Sequence, residues 1–356
     1  MKVAIFGAGR MGRNVLKHLQ HSEGIEELVV CDPDENALAK AVEEFGARPS
    51  TCEAALTDSA VKAVFIITPN HTHVPLALNA IAAGKAVMLE KPMGTTLEEA
   101  TNLVNQAEAR KAFLQIGFEL RYSLAYKKVK EWIDAGLLGE VINIHCLYIC
   151  NEFHGKGSWR NRIETCGGMF GEKLSHYVDI PRWFIGRPVE TAYSACAPNI
   201  VTYKEVHDNY HTTCRFEGGA VSHLTFMMGP AAHWGGDPLQ SAHDPATDHG
   251  HTLRTLVVGR SGTAEIDVFQ RTVKLSIFGD SPEKLTCSLV EKIQWAEEES
   301  HFYIHNTTAQ AQDIIRRVQA GLPPANSARD SLETMRLTLA AERSAESGVV
   351  ERIHSS

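Results

Sequence analysis

Lys91 is a residue whose type and surroundings suggest chemistry. It follows the apolar run Ala86 to Leu89 and precedes Pro92. Because proline disfavours the helical conformation of the preceding residue, the backbone at Lys91 is predicted to be extended and the side chain to have a fixed direction. An ammonium group held in this way can stabilise negative charge on a reacting oxygen. An isolated lysine at a strand end is more often an ordinary surface residue, so the interpretation depends on its neighbours.

A second polar stretch supplies those neighbours. Thr68-Pro69-Asn70-His71-Thr72-His73 follows the apolar run Val64 to Ile67, just as Glu90 and Lys91 follow theirs. In an open α/β sheet, ligands bind at the edge formed by the carboxyl ends of the strands. The two polar stretches are therefore predicted to lie along one ligand-binding edge.

The glycine-rich stretch Gly7-Ala8-Gly9-Arg10-Met11-Gly12 predicts the class of ligand. It joins a predicted strand, Lys2 to Phe6, to a predicted helix, and this context makes a short motif informative. The first glycine permits a tight turn, the second lets the backbone approach a pyrophosphate, and the third lets the helix pack on the strand. The helix N-terminus supplies N–H groups to the phosphates. The alternative is a glycine turn that binds nothing.

Asp32 predicts which dinucleotide is bound. It follows the next predicted strand, Glu27 to Cys31, and lies at about the 20-residue spacing expected after the glycines. An acidic residue there accepts hydrogen bonds from the adenosine ribose, and its charge repels a 2′-phosphate. NAD is the predicted cofactor and NADP is less favoured. The alternative is an ordinary helix-capping aspartate.

The elements that position these residues alternate between strands and helices up to about residue 118. Such alternation predicts a parallel sheet. Further on, strand-like runs beginning with Val141 to Cys150 follow one another with few helices between them. We predict an α/β Rossmann domain with a doubly wound parallel sheet over residues 1–120. An α+β domain with a large, mostly antiparallel open sheet is predicted over residues 121–356. The last predicted helix, Ser331 to Ser347, could pack back on the first domain.

The composition limits the class of partner. The chain has 356 residues, a formal net charge of −8 and no basic cluster, which favours two domains and a small-molecule partner over nucleic acid or an anionic membrane. No apolar run is long enough to span a membrane and no signal-peptide pattern is found, so a cytoplasmic location is expected. The eight cysteines form no C-x-x-C pair, which predicts reduced thiols and no metal site.

A second group of polar residues lies in the predicted second domain. After Gly167 and Gly168, a predicted helix carries Glu172, His176 and Asp179, whose spacing places them on one face. An acid beside a histidine can set the tautomer of the histidine and raise its basicity. Taken alone, such a group is more often a structural polar cluster.

Together these motifs resemble the family of glucose–fructose oxidoreductase, inositol dehydrogenase and MocA. The resemblance covers nearly the whole chain, through the Rossmann glycines, the T-P-N-H-x-H corner, the E-K-P tripeptide and the G-G…H-x-x-D helix. It implies an NAD-dependent dehydrogenase acting on a secondary alcohol of a sugar, cyclitol or glycoside. It also implies that Lys91 and His176, from different domains, are the catalytic pair and meet across a cleft.

The resemblance implies further binding residues. The cofactor residues would be Gly7, Gly9, Arg10, Met11, Gly12, Asp32, Thr68, Pro69, Asn70, His73, Glu90, Lys91, Trp159 and Arg160. The substrate residues would be Lys91, Arg121, Tyr122, His154, Trp159, Glu172 and His176. One position departs from the pattern, since residue 172 is usually aspartate in the sugar and cyclitol dehydrogenases, and the chain has Glu172 followed by Lys173. The identity of the substrate therefore stays open, whereas the expected class of reaction is unchanged.

The implied chemistry gives each catalytic residue a role. His176 removes the hydroxyl proton, and Lys91 stabilises the reacting oxygen. Glu172 orients His176 and binds a neighbouring hydroxyl group. Hydride transfer itself belongs to the nicotinamide.

Residues 229–251 form a long segment rich in glycine, proline and histidine. Long loops often act as lids or binding loops. We expect this segment to cover a sugar, with Trp234 as a stacking surface. A metal site is the other interpretation, but no spacing such as H-E-x-x-H supports it.

Two other functions fit the same fold. One is an NAD-dependent glycosidase that acts by transient oxidation and elimination, and the other is a non-catalytic NAD-sensing regulator. A sensor needs neither Lys91 nor His176, so their presence favours an enzyme. We also expect a homodimer or homotetramer, because the uncovered face of the second sheet would otherwise expose apolar area.

Overall fold

A parallel sheet, formed within residues 1–119, is the frame of the N-terminal part of this computed structural model, which describes residues 1–152, 154–229, 252–296 and 299–353. Its six strands are β1 (Lys2–Phe6), β2 (Glu27–Cys31), β3 (Arg48–Pro49), β4 (Val61–Ile66), β5 (Ala86–Leu89) and β6 (Leu114–Ile116). They are arranged in the order β3-β2-β1-β4-β5-β6. Strands β1, β2 and β5 are buried over nearly their whole length, as expected for a sheet covered on both faces.

Short helices connect these strands. They are α1 (Arg10–Leu19), α2 (Glu35–Phe45), α3 (Cys52–Thr57), α4 (His73–Ala82) and α5 (Leu97–Ala109). Side chains satisfy N–H groups at the starts of three of them: Asp34 accepts from residues 36 and 37, Thr51 accepts from Ala54, and Thr96 accepts from Glu99. The predicted alternating α/β fold with a parallel sheet is therefore confirmed.

A larger sheet follows in the second part of the chain. Its nine strands in the described residues are β7 (Val141–Cys150), β8 (Val189–Ala195), β9 (Asn209–Phe216), β10 (Val221–Met228), β11 (Thr252–Gly259), β12 (Gly262–Asp267), β13 (Thr272–Asp280), β14 (Leu285–Gln294) and β15 (Glu351–Arg352). Their order is β14-β13-β12-β11-β7-β10-β9-β8-β15, with β7 and β10 parallel and the other pairs antiparallel. The prediction of a mostly antiparallel sheet is confirmed.

The described residues contain six further α-helices. They are α6 (Leu124–Asp134), α7 (Ile163–Cys166), α8 (Ser175–Ile185), α9 (Ser300–Ile304), α10 (Thr307–Ala320) and α11 (Ala328–Ser347). Ala311, Ile314 and Ile315 of α10 join the core around α1, although they are far from it in sequence. Across the described residues, every helix is too short or too polar to cross a membrane.

The chain divides into two compact units that do not follow simple halves of the sequence. The first comprises Met1–Glu119, Glu164–Gly167 and Thr307–Met335, and the second comprises Leu120–Ile163, Gly168–Asn306 and Arg336–Ser356. The chain thus returns to the first unit twice after leaving it. Each unit is described below by itself.

Candidate active site

The glycine turn between β1 and α1 combines tight packing with open space. Gly7 has a φ of 101°, and a β-carbon there would lie 2.2 Å from the carbonyl oxygen of Ile67. A β-carbon at Gly12 would lie 1.9 Å from the Gly7 oxygen. At Gly9, by contrast, a β-carbon would meet no described atom within 4 Å. Gly7 and Gly12 are needed for packing, and Gly9 leaves room for a ligand.

The start of α1 suits an anionic group. No side chain caps this helix at Gly9, and its first turn has no acidic residue. The positive end of the helix dipole therefore favours a phosphate at this point.

Asp32 is fixed beside the glycine turn. Its Oδ2 accepts a hydrogen bond from the N–H of Ala8 at 2.6 Å, and its Oδ1 accepts from the N–H of Asp34 at 2.8 Å. A carboxylate has about four acceptor positions, so two such bonds leave capacity for ribose hydroxyls. The glycine turn, the helix start and Asp32 thus fit the pyrophosphate and ribose of NAD. We call the glycine turn, Asp32, the 68–73 corner and the 90–92 tripeptide the nucleotide edge.

The 68–73 corner and the 90–92 tripeptide leave adjacent strands. Ile66 of β4 pairs in parallel with Leu89 of β5, so the two polar stretches begin at the same edge of the sheet. Lys91 is half-buried, its N–H donates to Glu90 Oε2 at 3.2 Å, and its peptide bond to Pro92 is cis. The structure places these residues at one sheet edge, as the sequence predicted.

Two side chains of the corner bind main-chain groups. Asn70 is buried and its Nδ2 donates to the carbonyl oxygen of Cys166 at 2.8 Å. The ring nitrogens of His73 lie 2.7 Å from the Pro92 oxygen and 2.9 Å from the Thr68 oxygen. Burial lowers the pKa of His73 to about 4, so the ring is neutral at pH 7 and donates one of these two bonds. The neutral ring can donate to only one of these oxygens, so His73 is hydrogen-bonded to one of the two segments that follow β4 and β5 and lies close to the other. Its predicted contact with the cofactor stays a prediction.

In the second unit, Glu172 is the centre of a buried polar group. Its Oε1 accepts a hydrogen bond from Arg160 Nε at 2.7 Å, and its Oε2 lies 3.4 Å from His154 Nε2. Arg160 also stacks on its neighbour, with its guanidinium carbon 4.4 Å from the centre of the Trp159 ring. We call His154, Arg160 and Glu172 the Glu172 cluster. It brings together three residues that the sequence placed on the substrate or cofactor side.

The charges of this cluster are set by burial and by pairing. The pKa of His154 is lowered, chiefly because burial disfavours the charged ring, although the Glu172 carboxylate opposes this shift. Since the neutral form of His154 is favoured, the Arg160 guanidinium is the cation that pairs with the Glu172 carboxylate. The 2.7 Å hydrogen bond from Arg160 holds that carboxylate in place.

The helix that carries Glu172 and His176 is irregular at its start. Residues Phe170–Leu174 form a π-helical turn, and α8 begins directly after it with Ser175 and His176. The wider turn changes the register expected from an unbroken α-helix between Glu172 and His176. Single π-turns inside helices are frequent at functional sites. His176 is buried, and its ring centre is 6.4 Å from that of His305, which sequence reasoning did not single out.

Arg121 and Asp179 form a buried pair. The guanidinium makes two hydrogen bonds of 2.7 Å to the carboxylate oxygens of Asp179, on α8. The carbonyl of Tyr122 accepts from Asn306 Nδ2 at 3.0 Å. The first contact holds the segment after residue 119 against α8, and the second joins it to the chain between α9 and α10. The predicted substrate roles of Arg121 and Tyr122 stay predictions.

A polar network around Lys204 contacts the loop that carries His154 and Arg160, and it was not predicted from the sequence. Lys204 has a fully buried side chain, and its Nζ lies 2.6 Å from Asn161 Oδ1 and 3.1 Å from Glu152 Oε1. Glu152 also accepts the main-chain N–H groups of residues 154 and 155. Burial opposes ionisation of Glu152, but its hydrogen bonds outweigh this effect and lower its pKa to about 2. No local motif marks Lys204, because its partners lie more than 40 positions away in the sequence.

Trp234 and the other residues of the histidine-rich segment from 230 to 251 lie outside the described residues. Among the residues that are described, no three His, Cys, Asp or Glu side chains are grouped to hold a metal ion.

Comparison with known proteins agrees with this geometry. Residues 1–118 match the model of an oxidoreductase family with an NAD-binding Rossmann fold, and residues 126–265 match the GFO/IDH/MocA C-terminal domain. Inositol 2-dehydrogenase 3 of Saccharopolyspora erythraea is 35% identical over 318 residues, which cover 85% of this chain and 86% of the relative. The scyllo-inositol 2-dehydrogenase (NAD(+)) of Bacillus subtilis is 28% identical over 298 residues, covering 79% and 78% of the two chains.

Solved structures share the fold. The scyllo-inositol dehydrogenase from Lactobacillus casei, solved with NAD(H) and scyllo-inositol, superposes with a TM-score of 0.78 over 99% of both chains, at 18% identity. With both family models matched and the nucleotide edge formed, the chain belongs to the Gfo/Idh/MocA family of NAD-binding oxidoreductases.

Proposed function

We propose that this protein oxidises a secondary alcohol on a cyclitol or sugar, with NAD as the hydride acceptor, or catalyses the reverse reduction. The observation that carries the proposal is the 35% identity to an inositol 2-dehydrogenase over 86% of its length. The nucleotide edge and the Glu172 cluster support it, because they offer a dinucleotide site and fixed polar groups suited to hydroxyls.

Lys91 and His176 are the proposed catalytic pair. When bound, NAD supplies a nicotinamide that accepts the hydride from the alcohol carbon. His176 takes the hydroxyl proton, so the O–H and C–H bonds break as a carbonyl forms. The Lys91 ammonium group stabilises the negative charge that develops on that oxygen.

Glu172 is the proposed ligand of a neighbouring hydroxyl. Its fixed position between Arg160 and His154 supports this role, since an anchored carboxylate loses little freedom when it accepts a further hydrogen bond. A cyclitol presents such a second hydroxyl beside the reacting one. The predicted role of Glu172 in orienting His176 is retained as part of the same proposal.

The direct test is a substrate panel with the purified protein and NAD, including myo-inositol, scyllo-inositol, aldoses and aryl glycosides. We expect NADH to accumulate with at least one cyclitol or sugar. Aglycone release without net NADH would instead identify the redox-cycling glycosidase. NAD binding with neither reaction would favour the sensing regulator.

A further inference from the structure

A partly buried carboxyl group lies at the start of the helix that carries Glu172 and His176. One oxygen of Glu342, on α11, accepts a hydrogen bond from the main-chain N–H of Phe170 at 3.1 Å. Its other oxygen accepts from the Tyr210 hydroxyl, on β9, at 2.5 Å. Phe170 is the first residue of the π-helical turn. One carboxyl therefore joins this turn to a strand and to the last helix.

Gly168 makes room for that carboxyl group. Its φ is 97°, and a β-carbon there would lie 2.6 Å from the Glu342 carboxyl carbon. Any side chain at this position would be strained in its backbone and would also displace Glu342. The same contact is reinforced by the rings of Phe170 and Tyr210, which meet edge to face at 4.8 Å. Part of the G-G motif before the helix is thus explained by a residue far along the chain.

Helix α11, which carries Glu342, is itself held in place by hydrogen bonds. Ser344, buried on the same helix, accepts the N–H of Ser194 at 2.9 Å and donates to the Val349 oxygen at 2.6 Å. These bonds attach α11 to β8 and to the chain that follows the helix. A side chain on such an anchored helix can hold a neighbouring element within a small range of positions.

We propose that Glu342 is a positioning residue: together with Tyr210, it fixes the first turn of the helix that carries Glu172 and His176. The inference rests on the proposed function, because it assigns Glu342 to the geometry of the same reaction. Glu342 acts through the helix and is assigned no contact with substrate or cofactor.

The charges around Glu342 make this contact sensitive to pH. The groups that face it are Tyr210 from β9, Cys196 after β8 and Glu346 from α11 itself, and none of these is a cation. Burial raises the pKa of Glu342 to about 7, with a smaller contribution from Glu346. Ionisation gives Glu342 a full charge and strengthens both hydrogen bonds, but burial disfavours the charged form by more, so the neutral carboxyl is favoured up to about pH 7.

The test compares Glu342→Ala, Glu342→Gln and the exposed control Glu346→Ala by amide hydrogen exchange of the peptide spanning residues 168–176. We expect faster exchange in Glu342→Ala, near-normal exchange in Glu342→Gln, whose amide keeps an acceptor for Phe170, and no change in the control. Exchange needs no turnover, so its outcome is separate from that of the substrate panel. Unchanged protection in Glu342→Ala would overturn the inference even if the dehydrogenase activity is found.

A kinetic comparison separates positioning from general stability. We expect Glu342→Ala to lose about tenfold or more in kcat with unchanged NADH affinity, because small misplacements of catalytic groups are costly. Glu342→Gln should restore most of that loss and flatten the part of the kcat/KM pH profile that Glu342 sets near neutrality. If Glu342→Ala does not fold, Tyr210→Phe is the variant: normal exchange and normal kcat there would contradict the inference.

Discussion

The nucleotide edge and the Glu172 cluster are built in opposite ways. The edge uses main-chain turns and glycines that directly follow strands, and its parts all lie within the first 92 residues. The cluster uses three side chains within residues 154–172, and its supports, Lys204 and Glu342, come from farther along the chain. The edge is therefore encoded by short stretches that follow strands, whereas the cluster depends on supports from distant segments.

Replacing Lys91 or His176 with alanine should give the largest effect and tests both regions at once. Each change should reduce turnover by roughly 10² to 10³, through lost charge stabilisation for Lys91 and lost proton transfer for His176. The His176 variant should still bind NADH and should recover partly at high pH, where hydroxide replaces the base. Steady-state kinetics and NADH titration measure these effects, with Lys62→Ala and His223→Ala as exposed controls.

One outcome would reassign the base. If His176→Ala kept near-normal turnover while Glu172→Gln lost it, the carboxylate would be the base and His176 would only bind substrate.

The two regions should also respond to pH with opposite signs. Burial lowers the pKa of His73 to about 4, so its contribution to the free energy of unfolding is full above about pH 6.5 and is lost as the pH falls towards 4. The pKa of Glu342 is raised to about 7, so its contribution is full below about pH 4.5 and is lost as the pH rises through 7. For each residue the pKa in the folded protein differs from its ordinary value by about 2.5 units, which corresponds to about 3 kcal/mol in the free energy of unfolding.

Denaturant unfolding across this pH range measures the difference. Relative to wild type, Glu342→Gln should gain stability as the pH rises from 5 to 8, whereas His73→Gln should gain relative stability as the pH falls from 7 to 4. Parallel pH dependence in wild type and variant would show that the group in question does not titrate as described.

Cofactor choice tests the nucleotide edge alone. Because Asp32 is fixed beside the glycine turn, NAD(H) should bind at least about tenfold more tightly than NADP(H), a difference of about 1.4 kcal/mol. Asp32→Ala should reduce this preference, and the exposed Glu35→Ala should not. Equal affinities for the two cofactors in wild-type titrations would remove Asp32 from that role.

Assembly should have the smallest effect on the chemistry. The face of the second sheet that is opposite its buried side exposes Leu256 on β11 and Tyr193 on β8. We predict a homodimer or homotetramer formed through this face. Light scattering at micromolar concentration should give two or four chain masses, and a monomeric mass would contradict the prediction.

Local patterns predicted most of the large sheet and missed some elements. Val141 to Cys150 was predicted as a strand and is β7. Strand β14 was missed: Leu285, Cys287 and Leu289 alternate with polar residues, but the strand is exposed along most of its length. Helix α10 was also missed, and its apolar side is explained only by its packing against α1.

The sequence by itself determined the fold class, the NAD-binding edge and the family, because glycines, strand ends and short motifs act through the main chain near them. It also placed Lys91 and Thr68 at one sheet edge, since parallel strands share a direction. Only the tertiary structure decided that Glu172 pairs with Arg160 and His154, and that Glu342 meets Phe170 across 172 positions. The irregular chain between residues 154 and 172 selects the first set of partners and the packing of α11 selects the second, and no regular spacing of residue types encodes either choice.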